Sequence, residues 1–237
     1  MSVRFSTFRR AADRSDRTAR APVPGPTPLS GRSGEPTRLI DTSEISRRER
    51  YQLITSLVVP RPIGWISTWD EDGGANLAPF SFFNAFSSSP MLVGVSVGHR
   101  DRGPKDTLRN IRTRGAFCVN VVSEHLLEAM NATAAEVAPK IDEFDLAGLE
   151  PVTSDRVDAP FVDGCPAVLE CEVRQEVDLG GAPNTLVIGE VVGVRLSAAL
   201  SMADGTMTVD AGELRPVGRL SGAEYALPGT VRKLPRP

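Results

Sequence analysis

The chain has 237 residues, 41% hydrophobic and 24% charged, ordinary values for a globular protein and enough apolar material for one good core. No apolar run approaches the roughly 18 residues needed to cross a bilayer, and the start lacks the apolar middle of a secretory signal, so a cytoplasmic protein with no membrane partner is expected. Eight arginines against three acids put +5 on residues 1–38, which leaves −8 on the rest to reach the formal −3. An acidic domain argues against nucleic acid as its partner, because phosphate backbones select clustered Lys and Arg.

Three cysteines (Cys118, Cys165, Cys171) with no Cys-x-x-Cys pair, and only two histidines (His99, His125), support neither a disulfide framework nor a zinc site. Cys118 and Cys171 sit in apolar strand patterns and read as buried small apolar residues.

In chain order, residues 1–38 read as an Arg- and Pro-rich disordered tail, with a Pro-, Gly- and Ser-rich linker from Ala21 to Pro36. The folded domain is placed at 39–237. Ser46 and Glu49 make a capping box for a helix over about 47–57, with Tyr51, Ile54 and Val58 recurring at helical spacing, expected to lie as a lid on the fold. Val59-Pro60-Arg61-Pro62 stops it. Ile63 to Trp69 is a strand, Asp70 to Gly74 a turn, and 75–82 the returning strand of a hairpin.

Met91 to Gly98 is a third strand whose second face is built of small residues in its latter half, which invites close approach by a ligand or another backbone. Lys105 to Arg114 reads as a short helix with Leu108 and Ile111 inward and Gly115 at its end. A strand over 117–122 and a helix starting at Ser123 follow, and 131–165 is the least readable part. Ala167 to Val177 and Leu186 to Val194 alternate as two long strands joined around Gly180 to Asn184, with Glu170, Glu172, Arg174 and Glu176 on the wet face. Many strands, few helices and no βα period predict a mainly β (α+β) antiparallel barrel with peripheral helices.

Between Arg61 and Thr107, hydroxyls, amides and cations recur among the strand-like runs and at a helix start, as a phosphate-bearing planar ligand requires; an ordinary polar strand edge is the alternative. The blocks Arg61-Pro-Ile-Gly-Trp-Ile-Ser-Thr68, Asn76-Leu-Ala-Pro-Phe-Ser-Phe-Phe-Asn-Ala85, Lys105-Asp-Thr-Leu-Arg-Asn110, Phe117-Cys-Val-Asn-Val121, Met130-Asn-Ala-Thr133, Leu186-Val-Ile-Gly-Glu-Val191, Leu214-Arg-Pro216 and Arg219-Leu220 stand in an order and spacing that resembles the flavin reductase-like family, the group that includes flavoredoxin. The resemblance runs from about Leu39 to about Tyr225.

It implies a homodimeric split β-barrel with FMN near the subunit interface, NAD(P)H as hydride donor, and a monooxygenase as a partner to be supplied with reduced flavin. The other readings are a protein that keeps FMN as a prosthetic group to reduce another small substrate or pass electrons to a protein, and a flavin- or partner-binding module without turnover. Lys105 and Thr107, at a helix start, suit the phosphate, with Ser81, Asn84 and Arg100 as further donors; the alternatives are a solvated helix-end charge for Lys105 and a surface charge for Arg100. Ser67, Thr68, Phe82 and Phe83 are expected at the ring slot. No protein acid or base is assigned, since the flavin carries the redox chemistry. For His99 and Arg219 a structural role is favoured over a dinucleotide contact, and Trp65 and Trp69 read as core or interface aromatics. No Gly-x-Gly-x-x-Gly site is present.

Overall fold

The computed structural model describes residues 29–30, 36–100, 103–135, 141–180 and 183–234. The chain divides into two units, Met1–Arg50 and Tyr51–Pro237. Most of the expected tail, residues 1–28 and 31–35, lies outside the described residues, as do two residues of the Gly180 to Asn184 turn.

In the first unit β1 (Leu29–Ser30) pairs antiparallel with β2 (Pro36–Thr37). Helix α1 (Arg47–Leu57) begins with the expected capping box: the Ser46 hydroxyl accepts from the Glu49 N–H at 3.2 Å, and the Glu49 carboxylate accepts from the Ser46 N–H at 2.8 Å.

The second unit continues with β3 (Arg61–Pro62), β4 (Gly64–Trp69), β5 (Ala75–Phe80), β6 (Phe83–Ser88), β7 (Met91–Arg100), β8 (Gly103–Pro104), α2 (Asp106–Arg114) and β9 (Ala116–Val121). After a 3₁₀ turn (Glu124–Leu126) come α3 (Leu127–Ala132), α4 (Glu143–Ala147), β10 (Pro151–Thr153), β11 (Pro160–Val162), β12 (Ala167–Asp178), β13 (Asn184–Leu196), α5 (Ala211–Leu214), β14 (Gly218–Arg219) and β15 (Tyr225–Ala226). The main sheet runs β5-β4-β9-β12-β13-β7-β6, antiparallel throughout, with β8 on β7. Its two edge strands, β5 and β6, are consecutive in the chain. The segment between them turns the corner of the split barrel, where the Ser96 N–H donates to Phe82 O at 2.8 Å.

Strand alternation sorts the apolar residues onto two faces. Ile66, Phe80, Val93, Val95, Phe117, Val119, Cys171 and Val187 fill one cluster, into which α2 inserts Leu108 and Ile111. Trp65, Leu77, Val122, Met130, Phe144 and Val162 form a second cluster on the opposite face, beneath α3 and α4. The Trp65 indole N–H donates to the Thr133 hydroxyl at 2.9 Å. Helix α2 ends as its sequence predicts, on Gly115 at φ 68°, whose N–H bonds Ile111 O.

Four expectations are corrected. Strand β6 was missed because its residues are nearly all exposed and its ladder to β7 shifts register between Ala85 and Ser87, so no period of two is legible. In α1 the buried residue is Thr55, while Tyr51, Ile54 and Leu57 are exposed: the helix does not lie with its apolar stripe inward. Glu170 is buried rather than wet, because the β10–β11 hairpin covers that end of β12; its carboxylate accepts from the Ser154 hydroxyl (2.6 Å) and Arg195 Nε (2.7 Å). The small residues Gly94 and Gly189 make room for aromatic rings of the same chain, Phe86 and Phe117, which a Cβ would meet at 2.4 and 2.5 Å.

All three thiols are free and pushed up by burial, Cys165 to about 11. No helix among the described residues is long and apolar enough to cross a membrane.

Candidate functional site

Two neighbouring cavities beside the β5 edge share Pro79 and Ala134 in their linings and are described together as a groove. Its first end is built on the start of α2. Lys105 takes the N-cap position without a side-chain cap, and its carbonyl accepts from the Leu108 and Arg109 N–H groups. The first N–H groups of a helix have no carbonyl one turn back, so this end attracts anions. Thr107 is buried there and accepts from Asn76 Nδ2 at 3.1 Å, which leaves its O–H as a donor. One turn on, Asn110 Nδ2 donates to Thr68 Oγ1 at 3.1 Å. These two Asn–Thr pairs fix α2 to strands β4 and β5. The Lys105 ammonium lies 5.7 Å from the centroid of the Phe80 ring.

The second end, a cavity of about 190 Å³, is lined by Ser81, Asn131, Met130, Arg219, Tyr225 and Tyr51. The Tyr225 hydroxyl donates to Asn131 Oδ1 at 2.9 Å, and the Arg219 guanidinium stacks over the Tyr225 ring at 4.4 Å while donating to Gly222 O. The corner is held by Arg61. Its guanidinium is 5% exposed and donates to Thr55 O (2.6 Å), Val58 O (2.8 Å), Leu220 O (2.8 Å) and Ser81 Oγ (3.3 Å). Burial pulls its pKa down, but four acceptors hold the charged form.

Of the residues singled out in the sequence, the groove brings together Lys105, Thr107 and Ser81. Ser67 and Thr68 are fully buried beside it: the Ser67 hydroxyl donates to Pro160 O (2.6 Å) and accepts from Asn120 Nδ2 (2.9 Å). Phe83 lays its ring on Gly64, where a Cβ would come within 2.7 Å. Phe82 is exposed and meets the Tyr51 ring at 6.5 Å; Asn84 is exposed on β6 and its side chain accepts from the Ala85 N–H. Arg100 closes β7 opposite Gly103, and its side chain lies outside the described residues. His99 pairs with Thr185 at 3.0 Å.

Sequence reasoning passed over Glu143, and quoted Arg61, Asn76, Asn131 and Tyr225 without a role. Glu143, half-buried at the start of α4, accepts from the Leu77 N–H of the β5 edge at 3.2 Å and faces the Lys105 end. Burial raises its pKa above the ordinary carboxylate value. A phosphate-bearing planar ligand fits this donor set: a cation, a helix start and hydroxyls at one end, an aromatic and amide-lined hollow at the other.

Residues 56–215 match the model of the flavin reductase like domain. An uncharacterized protein of Halalkalibacterium halodurans is 37% identical over 203 residues, covering 84% of this chain and 96% of that one. Among solved structures, nitrilotriacetate monooxygenase component B from Bacillus cereus superposes with a TM-score of 0.79 at 32% identity, over 84% of this chain and 98% of that one. The 2-nitrobenzoate 2-nitroreductase of Pseudomonas fluorescens gives 0.76 at 30%, over 84% and 96%.

Proposed function

The chain belongs to the flavin reductase like domain family, and from that membership we propose that it binds FMN and transfers hydride from NAD(P)H to flavin, supplying reduced flavin to a monooxygenase. The observation that carries the reading is the pair of adjoining cavities, with Lys105, Thr107 and Asn76 lining one and Ser81, Asn131 and Tyr225 lining the other. Lys105 and the α2 start would take the phosphate, Thr107 would donate to it through its hydroxyl, and Arg100 would add a second cation from the end of β7. Ser81 and the Pro79 to Asn84 corner would hold the ring edge, with Phe82 and Phe83 as its apolar surroundings. Ser67 and Thr68 act from behind, by fixing the wall that the groove rests on. The flavin, once bound, supplies the hydride chemistry, and the protein's part is binding, orientation and exclusion of water.

The test is turnover: purified protein with added FMN is expected to oxidise NADH or NADPH in proportion to flavin, and failure with both nucleotides would overturn the assignment.

A second reading has a specific support. The nitroreductase neighbour is almost as similar as the monooxygenase component, so a protein that retains FMN and reduces a small aromatic substrate directly fits the same groove. Flavin exchange separates the two: rapid loss of FMN on desalting favours the supplier of free flavin, retention through many turnovers the direct reductase.

The functional unit is proposed to be a homodimer. Phe86 on β6, Met91 at the start of β7, and Val192 and Val194 on β13 expose apolar surface on strands of the main sheet, which a second copy would cover. Phe86→Asp is expected to convert a dimer to a monomer by light scattering at micromolar protein; an unchanged dimer would place the interface elsewhere.

A further inference from the structure

The Lys105 end of the groove carries an acidic side chain that a phosphate site does not need. Glu143 lines the same cavity as Lys105 and Thr107, anchored by the Leu77 N–H at 3.2 Å. The charged groups around it are Lys105, Asp106 and Arg109 of α2, Asp70 from the turn before β5, and Asp142 at the start of its own helix. Asp106 pairs with Arg109, and Lys105 lines the same cavity as Glu143 with its ammonium over the Phe80 ring.

We propose that Glu143 is a specificity-determining residue of the groove: its carboxylate penalises a terminal phosphate dianion more than a phosphate diester, and so sets the preference between FMN and FAD as a function of pH. The inference rests on the reading above that the Lys105 end takes the flavin phosphate.

The physical argument is charge against charge in a partly dry cleft. A terminal phosphate carries about −1.5 to −2 at neutral pH, whereas each phosphate of the FAD diphosphate bridge carries a single charge. An ionised carboxylate on the same wall repels the first more strongly, and a protonated one repels neither and can donate a hydrogen bond. Glu143 is the acid in this wall whose pKa burial lifts, with Asp106 and Asp142 adding to the lift and the Leu77 N–H opposing it. The sign follows. Below its raised pKa Glu143 is neutral and the FMN phosphate is admitted; as pH climbs through that value the penalty appears, and FMN loses affinity relative to FAD.

The experiment measures dissociation constants of FMN, FAD and riboflavin by flavin fluorescence, for the wild-type protein and Glu143→Gln, at pH 5 and pH 8. Glutamine keeps an acceptor for the Leu77 N–H, and riboflavin, which has no phosphate, reports whether the ring end is intact. FAD, whose bridging phosphates keep one charge each at both pH values, separates the titration of Glu143 from that of the FMN phosphate. At about pH 8 the variant is expected to bind FMN about 5-fold tighter, FAD less than that, and riboflavin unchanged. At about pH 5 the FMN gain is expected to be smaller than at about pH 8, and the FAD gain to fall with it.

An FMN gain that is absent at pH 8, or matched by riboflavin, overturns the proposal while leaving the flavin site standing. Wild-type protein that binds none of the three flavins overturns the underlying reading, and the role of Glu143 with it.

Discussion

Lys105→Met is expected to weaken FMN binding by about 10- to 100-fold, the range for losing one charge-assisted hydrogen bond in a partly desolvated site. The same change should leave riboflavin binding within a factor of about two, because the lost contact is to the phosphate alone. The reasoning is local. Lys105 sits at the cap of α2 without any side-chain cap bond, and its stem runs past Phe80 with the ammonium 5.7 Å from the ring. Methionine keeps most of that apolar stem and removes the charge, so the helix and the wall persist while the anion site loses its cation. Titration of both flavins by fluorescence quenching checks it. Equal losses for FMN and riboflavin would mean that the variant has disturbed the groove rather than the phosphate contact.

The second large effect concerns stability. Arg61→Met should lower the unfolding free energy by about 3 kcal/mol, since hydrogen bonds from a charged donor contribute about 1.5–3 kcal/mol and buried acceptors left unpaired cost more. Arg61 reaches three carbonyls, Thr55 and Val58 at the end of α1 and Leu220 just after β14, as well as the Ser81 hydroxyl at the corner of the groove. Methionine matches the apolar stem and satisfies none of these. Urea unfolding gives the number. The variant should also bind flavin more weakly, because Ser81 and the Leu220 segment lose their common anchor; a variant as stable as the wild type would mean that water satisfies those carbonyls.

The parts of this fold that were legible in the sequence are those in which one period dominates. Helix α2 shows its inward Leu108 and Ile111 and its terminal Gly115, and the β12–β13 hairpin shows two long apolar-rich strands around a glycine-rich turn, although its ladder shifts register twice.

What sequence periodicity cannot carry is the identity of the layer that covers a face. Glu170 alternates with apolar residues as a solvent-facing acid would, and is buried because a distant hairpin brings Ser154 over it. Ser67 and Thr68 have the residue types of a ligand wall, yet their hydroxyls are engaged by Pro160, Asn120 and Asn110. Glu143 could not be placed at all, since its position depends on the course of residues 131–165, where neither period is sustained. Arg61 stands in the sequence only as part of the helix stop and of a family block, and its role appears when the end of α1 and the Leu220 segment converge on it.

The account stands most directly on one spectrum. Protein loaded with FMN and held anaerobically should lose the flavin absorbance near 450 nm (approximate, set by the oxidised isoalloxazine that carries the chemistry) when NADH or NADPH is added, the faster nucleotide naming the donor. A bound flavin whose band persists with both nucleotides would contradict hydride transfer from a pyridine nucleotide in this groove.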